Sequence, residues 1–428
     1  MITTINNKHK KLNFSSEREQ SQACLNSAEH EKNQGRKVLN VPNLRFKEFQ
    51  GEWEKTKFGD IAVVVGGGTP DTNTSQYWNG KIQWFTPSEI GRNKYVYNSV
   101  RTISEEGLNK SSAKLLPTGT ILLSSRATVG ECSINKKECT TNQGFQSLIP
   151  KENISNEFVY YLIQTKRKDL IRKSCGSTFL EISANEVRKI VVSIPTIKEQ
   201  DKIAKLLSLL DERIATQNKI IEDLKRLKSA IINYAINSLD TDFAKFSSLY
   251  EMAGEGGTPT TSNASFYDNG KIPFIKIDDL KQKYLIENND FITELGLQKS
   301  SAWLVPTSSI LFSNGATIGE ITITTYPVCT KQGILGIVPK QNIDVEYLYY
   351  FMSSSYFKKA VSRIVTEGTM KTAYLKDINN ILCPIPTKEE QQEIAKIPSA
   401  LNSKIDTEKS ILKLFITQKQ HLLHQMFI

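Results

Sequence analysis

The sequence predicts an α+β protein with two duplicated α/β domains, joined by two long helices in an antiparallel, pseudo-twofold coiled coil. Three observations predict it. The chain repeats itself at an offset of 189 to 192 residues, and each copy has short β-like runs between Gly, Pro and Asn turns. Each copy then ends in a heptad pattern typical of a long helix.

The duplication is clearest in residues 103–150, which align without a gap on residues 292–339 with 23 of 48 positions identical. Both copies contain G-L-x-K-S-S-A-x-L-x-P-T, A-T-x-G-E and T-x-Q-G, beginning at Gly107, Ala127 and Thr141 in the first copy. A Gly-Gly-Thr-Pro turn and an Asn-Gly-Lys-Ile run precede them twice. Two domain-sized copies favour two similar binding faces over a solenoid.

The chain divides into five segments. Residues 1–40 are polar and without periodicity, which indicates a loose arm. Residues 41–196 and 241–387 mix β-like runs, such as 120–123 and 309–312, with turns and a few helical patches. The long helices are predicted over 197–240 and 388–428.

Each long helix is predicted to begin at a capping box, Thr196-x-x-Glu199 or Thr387-x-x-Glu390. Its apolar stripe must be buried, and the duplicate helix is the expected partner. The predicted seam, interrupted in each copy by polar residues, consists of Ile203, Leu207, Leu210, Ile214, Ile221, Leu224, Ile231, Ile394, Leu401, Ile405, Leu412, Phe415 and Leu422.

One seam position departs from the pattern. Pro398 stands where the first copy has Leu207. Proline in a helix interior removes a hydrogen bond and clashes with the preceding turn. The second helix is therefore expected to kink or restart near residue 397.

Composition limits the class of protein. With 39% hydrophobic and 23% charged residues the chain is globular, and its net charge of +10 hints at a polyanionic partner. No run approaches 18 apolar residues, and no secretory signal is found at the N-terminus. The six cysteines form no C-x-x-C pair, which favours reduced thiols in the cytoplasm.

The sequence contains no catalytic constellation. Residues 66–68 are three glycines, but no G-K-[S/T] follows, so a tight turn is the favoured interpretation. His421 and His424 have no third metal ligand nearby, and neither G-x-S-x-G nor H-E-x-x-H occurs. The chain is therefore interpreted as a binding protein without metal or cofactor.

The repeated motifs carry a family resemblance. They are Gly-Thr-Pro followed by two aromatic residues and N-G-K-I, then A-T-x-G-E with T-x-Q-G, then I-P-T-x-x-E-Q opening a long helix. With all of them present twice in the same order, the chain from Val41 onward resembles the specificity (S, HsdS) subunit of type I restriction–modification enzymes. Members of that family have two target-recognition domains alternating with helical regions.

The resemblance implies a function and partners. Each domain would read one half of an asymmetric two-part site in double-stranded DNA, and the helices would set the spacer. The helices would also dock two modification subunits, which bind S-adenosylmethionine and methylate adenine N6. Two restriction subunits would use ATP and Mg²⁺, so this chain would need no cofactor and would work in the cytoplasm without a membrane.

Comparison of the copies suggests which residues contact DNA. Identical residues are expected to be scaffold or phosphate contacts, and differing ones, such as Arg126 and Lys331 for guanine or Asn142 and Asn314 for adenine, to read bases. The first copy offers Thr69, Tyr77, Trp78, Lys81, Ser88, Glu89, Arg92, Ser125, Arg126, Thr128, Asn142 and Gln143. The second offers Thr258, Tyr267, Lys271, Lys276, Asp278, Lys281, Asn314, Thr317, Lys331 and Gln332.

Alternatives remain at this stage. The differing positions are more often loop residues that drift neutrally, and the aromatic ones are more often core. For Lys81 and Lys271 a solvated surface lysine is as good an explanation as a phosphate contact. A duplicated coiled-coil scaffold that binds a partner other than DNA would show the same layout, and a free-standing nuclease or methyltransferase is disfavoured by the missing motifs. The slope of binding against salt on random duplex separates the scaffold from a DNA reader.

Overall fold

The computed structural model describes residues 39–176, 180–315, 317–365 and 371–428. The predicted arm over 1–40, with Cys24, lies almost wholly outside the described residues, as does Ala316 of the second A-T-x-G-E motif. The described chain separates into two compact units, residues up to 211 with 417–428, and residues 212–416.

The first unit combines short helices with antiparallel and parallel strands. Its helices are α1 (Phe58–Ile61), α2 (Glu105–Asn109), α3 (Asn156–Thr165), α4 (Arg167–Arg172) and α5 (Ala184–Lys189). Its strands are β1 (Glu54–Lys57), β2 (Ala62–Gly66), β3 (Trp78–Phe85), β4 (Tyr95–Val96), β5 (Arg101–Ile103), β6 (Ile121–Leu123), β7 (Cys132–Asn135), β8 (Cys139–Thr141), β9 (Gln146–Pro150) and β10 (Val191–Ile194). The long helix α6 (Ile197–Asn237) begins here and ends in the second unit.

The second unit repeats these elements. Its strands are β11 (Phe243–Lys245), β12 (Tyr250–Glu255), β13 (Ile272–Ile275), β14 (Tyr284–Leu285), β15 (Phe291–Ile292), β16 (Ile310–Ser313), β17 (Ile321–Thr324), β18 (Cys329–Thr330), β19 (Ile334–Pro339) and β20 (Leu382–Pro384). Its helices are α7 (Glu294–Gln298), α8 (Val345–Ser353), α9 (Ser355–Ile364), α10 (Leu375–Ile378) and the long α11 (Lys388–Met426).

Both units have the same sheet topology. A five-stranded sheet has the order β2-β9-β6-β7-β4 in the first unit and β12-β19-β16-β17-β14 in the second. A three-stranded sheet follows the order β5-β3-β8 or β15-β13-β18, and β1-β10 or β11-β20 forms a two-stranded ribbon. Register is conserved as well, since Ile121 opposes Leu148 and Ile310 opposes Ile337. The predicted α+β duplication is confirmed.

The main core of each unit is closed by the long helices. In the first unit Ile203 and Leu207 of α6 are buried with the sheet and α3, and Phe427 stacks on Phe158. In the second unit Ile232 of α6 and Ala395 of α11 are buried in the corresponding core. Burial of apolar surface at these junctions stabilises the fold by about 25 cal/mol per Å².

The helices run antiparallel within each unit. In the second unit Gln217 donates to the carboxylate and the backbone carbonyl of Glu408, and Lys228 donates to Asn402. In the first unit Lys419 is paired with Asp211. All predicted seam side chains are buried or half-buried, including the polar interruptions.

The predicted restart of the second helix and the predicted capping box of the first helix are wrong, and a kink at Pro398 stays a prediction. The helix α11 does not restart near 397 but continues through Pro398. A proline there costs about 3 kcal/mol, which burial of Pro398 and Ala395 offsets. The first capping box is also absent, because Glu199 accepts two hydrogen bonds from Arg45 at 2.8 Å.

The second predicted capping box is present. Thr387 Oγ1 and its backbone N–H donate to the carboxylate of Glu390, and the N–H of Glu390 donates back to Thr387 Oγ1. These bonds lower the pKa of the Glu390 carboxyl. No helix among the described ranges is long and apolar enough to cross a membrane.

Candidate nucleic-acid interface

Three repeated motifs meet in each unit through close backbone contacts. A Cβ on Gly68 would lie 2.3 Å from Ser112 Oγ, and a Cβ on Gly257 would lie 2.3 Å from Ser301 Oγ. The preceding glycine of the first copy, Gly67, presses in the same way on the carbonyl of Asn142. Only glycine fits these approaches, so the motifs are identical in both copies for a packing reason.

Hydrogen bonds join four loops of the first unit into one surface. The N–H of Asn142 donates to Phe85 O at 3.0 Å, and the N–H of Ser125 donates to Gly144 O at 2.8 Å. Thr69 Oγ1 donates to Gln143 Oε1 at 2.5 Å. We call loops 67–70, 86–89, 125–128 and 142–144 the first loop cluster.

The second unit builds the same surface with different side chains. The N–H of Lys331 donates to Ile275 O and that of Asn314 to Gly333 O, each at 3.0 Å. The N–H of Gln332 donates to Thr258 Oγ1 at 3.3 Å. Loops 256–259, 276–281, 314–315 with 317–319, and 331–333 form the second loop cluster.

Many of the predicted DNA contacts are exposed on or beside these clusters. The exposed residues are Ser88, Arg92, Arg126, Thr128, Gln143, Lys276, Asp278, Lys281, Thr317, Lys331 and Gln332. Half-buried positions are held by Thr69, Tyr77, Asn142, Thr258 and Tyr267. Each loop cluster therefore presents a mixed polar surface.

Several of these cations are held by ion pairs. Arg126 lies 2.8 Å from Glu181, Lys276 lies 2.6 Å from Asp290, and Lys281 is paired with Asp278. The pair between Arg126 and Glu181 is 44% and 40% exposed, so it contributes about 0–1 kcal/mol. Because the pair is weak, the Arg126 guanidinium can leave Glu181 and bind a stronger hydrogen-bond acceptor at little cost.

Four of the predicted DNA contacts have a structural role in the fold. Ser125 and Asn314 are at most 1% exposed, and their carbonyls accept from Ile182 N and Ala373 N. The indole of Trp78 is buried and donates to Asp71 O. These side chains are buried in this structure, so direct contact between them and DNA stays a prediction that their burial does not favour.

Glu89 is the fourth predicted DNA contact with a structural role. Its carboxylate accepts from the N–H groups of Thr86 and Val100, both at 2.7 Å. Asp279 holds the N–H of Lys276 in the same way at 2.8 Å. The acidic residue of this turn shapes the loop in both copies, so Glu89 has a structural role whether or not it contacts DNA.

Lys81 and Lys271 are exposed but lie away from the clusters. Lys81 precedes Phe85, the residue that contacts the cluster, by four positions on β3, about 13 Å along the strand. Lys271 stands four residues before Ile275 in the same way. A contact of these lysines with DNA would therefore lie outside the loop clusters.

Sequence reasoning missed a stacked arginine. The guanidinium of Arg101 lies 3.6 Å from the ring centroid of Trp78 and 5.4 Å from that of Trp84. The equivalent residue of the second copy is Asp290, the partner of Lys276. This reversal of charge lies just outside the stretch of clearest alignment.

One lysine, half-buried in the first unit and buried in the second, ties the α/β part of each unit to its long helix. Lys94 Nζ is 3.0 Å from both Glu157 Oε2 and Ser208 Oγ of α6, and it lies 4.8 Å from the ring of Tyr161. Although burial raises the pKa of the Glu157 carboxyl, hydrogen bonds from Tyr95 and Lys94 outweigh it and lower that pKa.

The second unit repeats this joint. Lys283 Nζ is 2.6 Å from Glu346 Oε2 and 3.2 Å from Ser399 Oγ of α11, beside the ring of Tyr350. The signal in the sequence was a Lys-Tyr dipeptide and a later Tyr-Tyr dipeptide in both copies. The joint fixes the direction in which each loop cluster faces relative to its own helix segment.

The described residues offer no alternative chemistry. No group of His, Cys, Asp and Glu suited to a metal ion occurs among them, and His421 and His424 are exposed. Burial raises the pKa of Cys139 to about 12 and that of Cys329 to about 11, which suppresses thiolate formation. What the arrangement provides is two similar polar surfaces for binding.

Comparison with known proteins gives consistent matches. The family model described as type I restriction modification DNA specificity domain matches residues 50–226 and 241–414. The type I restriction enzyme MjaIX specificity subunit of Methanocaldococcus jannaschii is 30% identical over 388 residues, covering 85% of this chain and 90% of the relative. An Escherichia coli relative, the EcoR124I/EcoR124II specificity subunit, is 33% identical over 190 residues, which is 43% of this chain and 46% of the relative.

Solved structures share the fold. The S subunit of a type I restriction–modification system from M. genitalium aligns with a TM-score of 0.54 at 17% identity, over 91% of this chain and 99% of that one. A chain from a study of type I R-M complex assembly and conformational transition aligns with a TM-score of 0.60 at 16% identity, over 87% and 96%.

Proposed function

This chain belongs to the type I restriction–modification DNA specificity family, and we propose that each of its loop clusters reads one half of a two-part DNA site. Its relatives are specificity subunits, the non-catalytic members of these systems. One observation carries the proposal: the same four loops are built twice by identical packing residues and end in different exposed side chains.

The differences match what two unlike half-sites require. Arg126 in the first cluster stands where the second has Gly315, and Asn142 stands where the second has Lys331. Arginine and lysine suit guanine O6 and N7, and asparagine suits adenine N6 and N7. Exposed cations beside these positions supply sequence-independent phosphate contacts.

The long helices provide docking surfaces for other subunits. Ile220, Leu227 and Tyr234 recur every seven residues on α6 and are 40% to 77% exposed, outside the buried seam. Such an apolar stripe is typical of a surface for a partner protein. We assign it to modification subunits, two per complex, that carry S-adenosylmethionine and methylate adenine N6.

The remaining assignments follow from the same proposal. Two restriction subunits would supply the ATP- and Mg²⁺-dependent steps, and this chain would hold no cofactor of its own. The long helices would set the number of unread base pairs between the half-sites. The site of action would be cytoplasmic, on the DNA of a prokaryotic cell.

Binding to random duplex tests the DNA role against a scaffold role. The logarithm of the affinity is expected to fall linearly with the logarithm of salt concentration, because each phosphate contact releases counterions. A scaffold that binds a protein partner would show no such slope. Lys81→Ala and Lys271→Ala should each reduce the slope by about 1 if these lysines contact phosphates.

A further inference from the structure

Equivalent lysines of the two helices have different partners. In the first unit Lys419 Nζ lies 2.7 Å from the carboxylate of Asp211. In the second unit the equivalent Lys228 Nζ donates to Asn402 Oδ1 at 2.9 Å. Asn402 follows Asp211 by the 191 residues that separate the helices, so this lysine has an amide where Lys419 has a carboxylate. The nearby carboxylate, Asp406, accepts from Asn402 Nδ2 at 3.1 Å.

The surroundings of Lys228 do not replace that charge. Burial, together with the neighbouring cations Lys283 and Lys409, lowers the pKa of Lys228 and outweighs the opposing effect of Asp406. A half-buried cation without a directly paired carboxylate is costly, and a bound anion would relieve it.

A cavity opens beside this lysine. It has a volume of about 270 Å³ and is lined by two further lysines, Lys281 and Lys358, with Ser229 and Gln282 among its polar groups. Glu320 is the carboxylate in this lining, and Lys281 is already paired with Asp278, so the remaining lysines, Lys228 and Lys358, outnumber Glu320. At about 30 Å³ for each water molecule, the space accommodates a phosphate group with part of its hydration shell.

We propose that this cavity, the Lys228 cavity, binds a phosphate group, with Lys228 as its half-buried cation and Lys281 and Lys358 as its exposed cations. Residues 280–282 and 319–321 line it, and Leu280, Lys281 and Gly319 among them belong to the second loop cluster. The group therefore comes either from the DNA backbone or from free phosphate. The anion site is independent of the proposed function; only its assignment to DNA rests on it.

Thermal unfolding of the full chain tests the site with inorganic phosphate as the probe. The unfolding midpoint is expected to rise with phosphate, compared with chloride at equal ionic strength, because a ligand that binds only the folded state stabilises it. Lys228→Met keeps the apolar stem and removes the charge. Asn402→Asp supplies the carboxylate that the first unit already has.

Both variants are expected to lose most of the phosphate-dependent rise. Asn402→Asp should fold, since Asp211 occupies the equivalent place in the first unit. Its new carboxylate would lie beside Asp406, which accepts from Asn402 Nδ2 at 3.1 Å, so no rise of its unfolding midpoint in chloride is expected. The same rise in wild type and in both variants would overturn the proposal, since general effects of phosphate on stability are common to all three.

Binding to random duplex separates the two sources. A DNA phosphate in the cavity predicts that Lys228→Met lowers the salt slope by about 1. An unchanged slope with lost phosphate stabilisation assigns the cavity to free phosphate. Normal DNA binding with an unaltered phosphate response overturns the site and leaves the proposed DNA recognition intact.

Discussion

Replacement of Arg126 by alanine is expected to relax one base pair of one half-site. Arg126 lies on the first loop cluster and is 44% exposed, and its present partner, Glu181, is 2.8 Å away. A bidentate contact to guanine provides about 1–3 kcal/mol of discrimination. The exposed ion pair that it would replace is worth about 0–1 kcal/mol, so exchange of Glu181 for a base edge is favourable.

The expected loss is therefore about 5- to 150-fold in discrimination at one position, with the other half-site unaffected. This discrimination is measured by competition binding with a library of duplexes, in which each base pair of the two-part DNA site is varied in turn. Glu181→Gln is the matched control, because it leaves the arginine in place and removes only the carboxylate. Lys331→Ala is expected to relax the other half-site.

An equal loss of affinity for every sequence, with a salt slope lower by about 1, would refute the base-reading role. Arg126 would then be a phosphate contact. Loss of discrimination in Glu181→Gln as well would show that the ion pair, and not a contact to guanine, determines the preference.

Three further perturbations have defined outcomes. Seven residues inserted after Thr216 and seven after Glu408 preserve the heptad register and lengthen the paired helices by about 10 Å. The tolerated spacer between the half-sites should then grow by about three base pairs. Weaker binding with an unchanged spacer would contradict this. Leu207→Ala, at a fully buried position, should cost about 2–5 kcal/mol in chemical denaturation, and Leu209→Ala, 54% exposed, less than about 0.5 kcal/mol. Glu157 has a pKa below its ordinary value of 4.5, so its stabilising contribution is present above that pH and lost as the pH falls through the depressed pKa. Glu157→Gln should remove that acid-sensitive part, and an unchanged stability–pH curve would contradict the assignment.

The long helices were predictable because their signal is local. Apolar residues at heptad spacing define the buried stripe before any partner is known, and the seam from Ile203 to Leu422 is buried or half-buried throughout. The continuation of α11 through Pro398 was not predictable in this way. It depends on tertiary burial of the proline and its neighbours, which local propensity does not contain.

Contacts between distant residues explain the other failures. Thr196-x-x-Glu199 has the sequence of a capping box, but Arg45, 154 residues away, takes the carboxylate. A guanidinium that approaches with two N–H donors competes successfully with the cap. Nothing within one helical turn of Glu199 reveals that partner.

The candidate interface was predictable as loops and only partly as side chains. Ser125 and Arg126 are adjacent and both differ from the second copy, yet one is buried and the other exposed. Alternation of facing within a short loop is set by its hydrogen bonds to Gly144 and Ile182. Divergence between copies therefore marks both base-reading candidates and positions where the loop is anchored differently.

Sequencing of N6-methyladenine in host DNA, after co-expression of this chain with candidate modification subunits, tests the central claim most directly. A two-part motif with a fixed gap is expected to be methylated only when the chain is intact. Arg126→Ala should then alter one half of that motif, and Lys331→Ala the other. A stable complex that methylates no such motif would contradict DNA recognition and favour a scaffold.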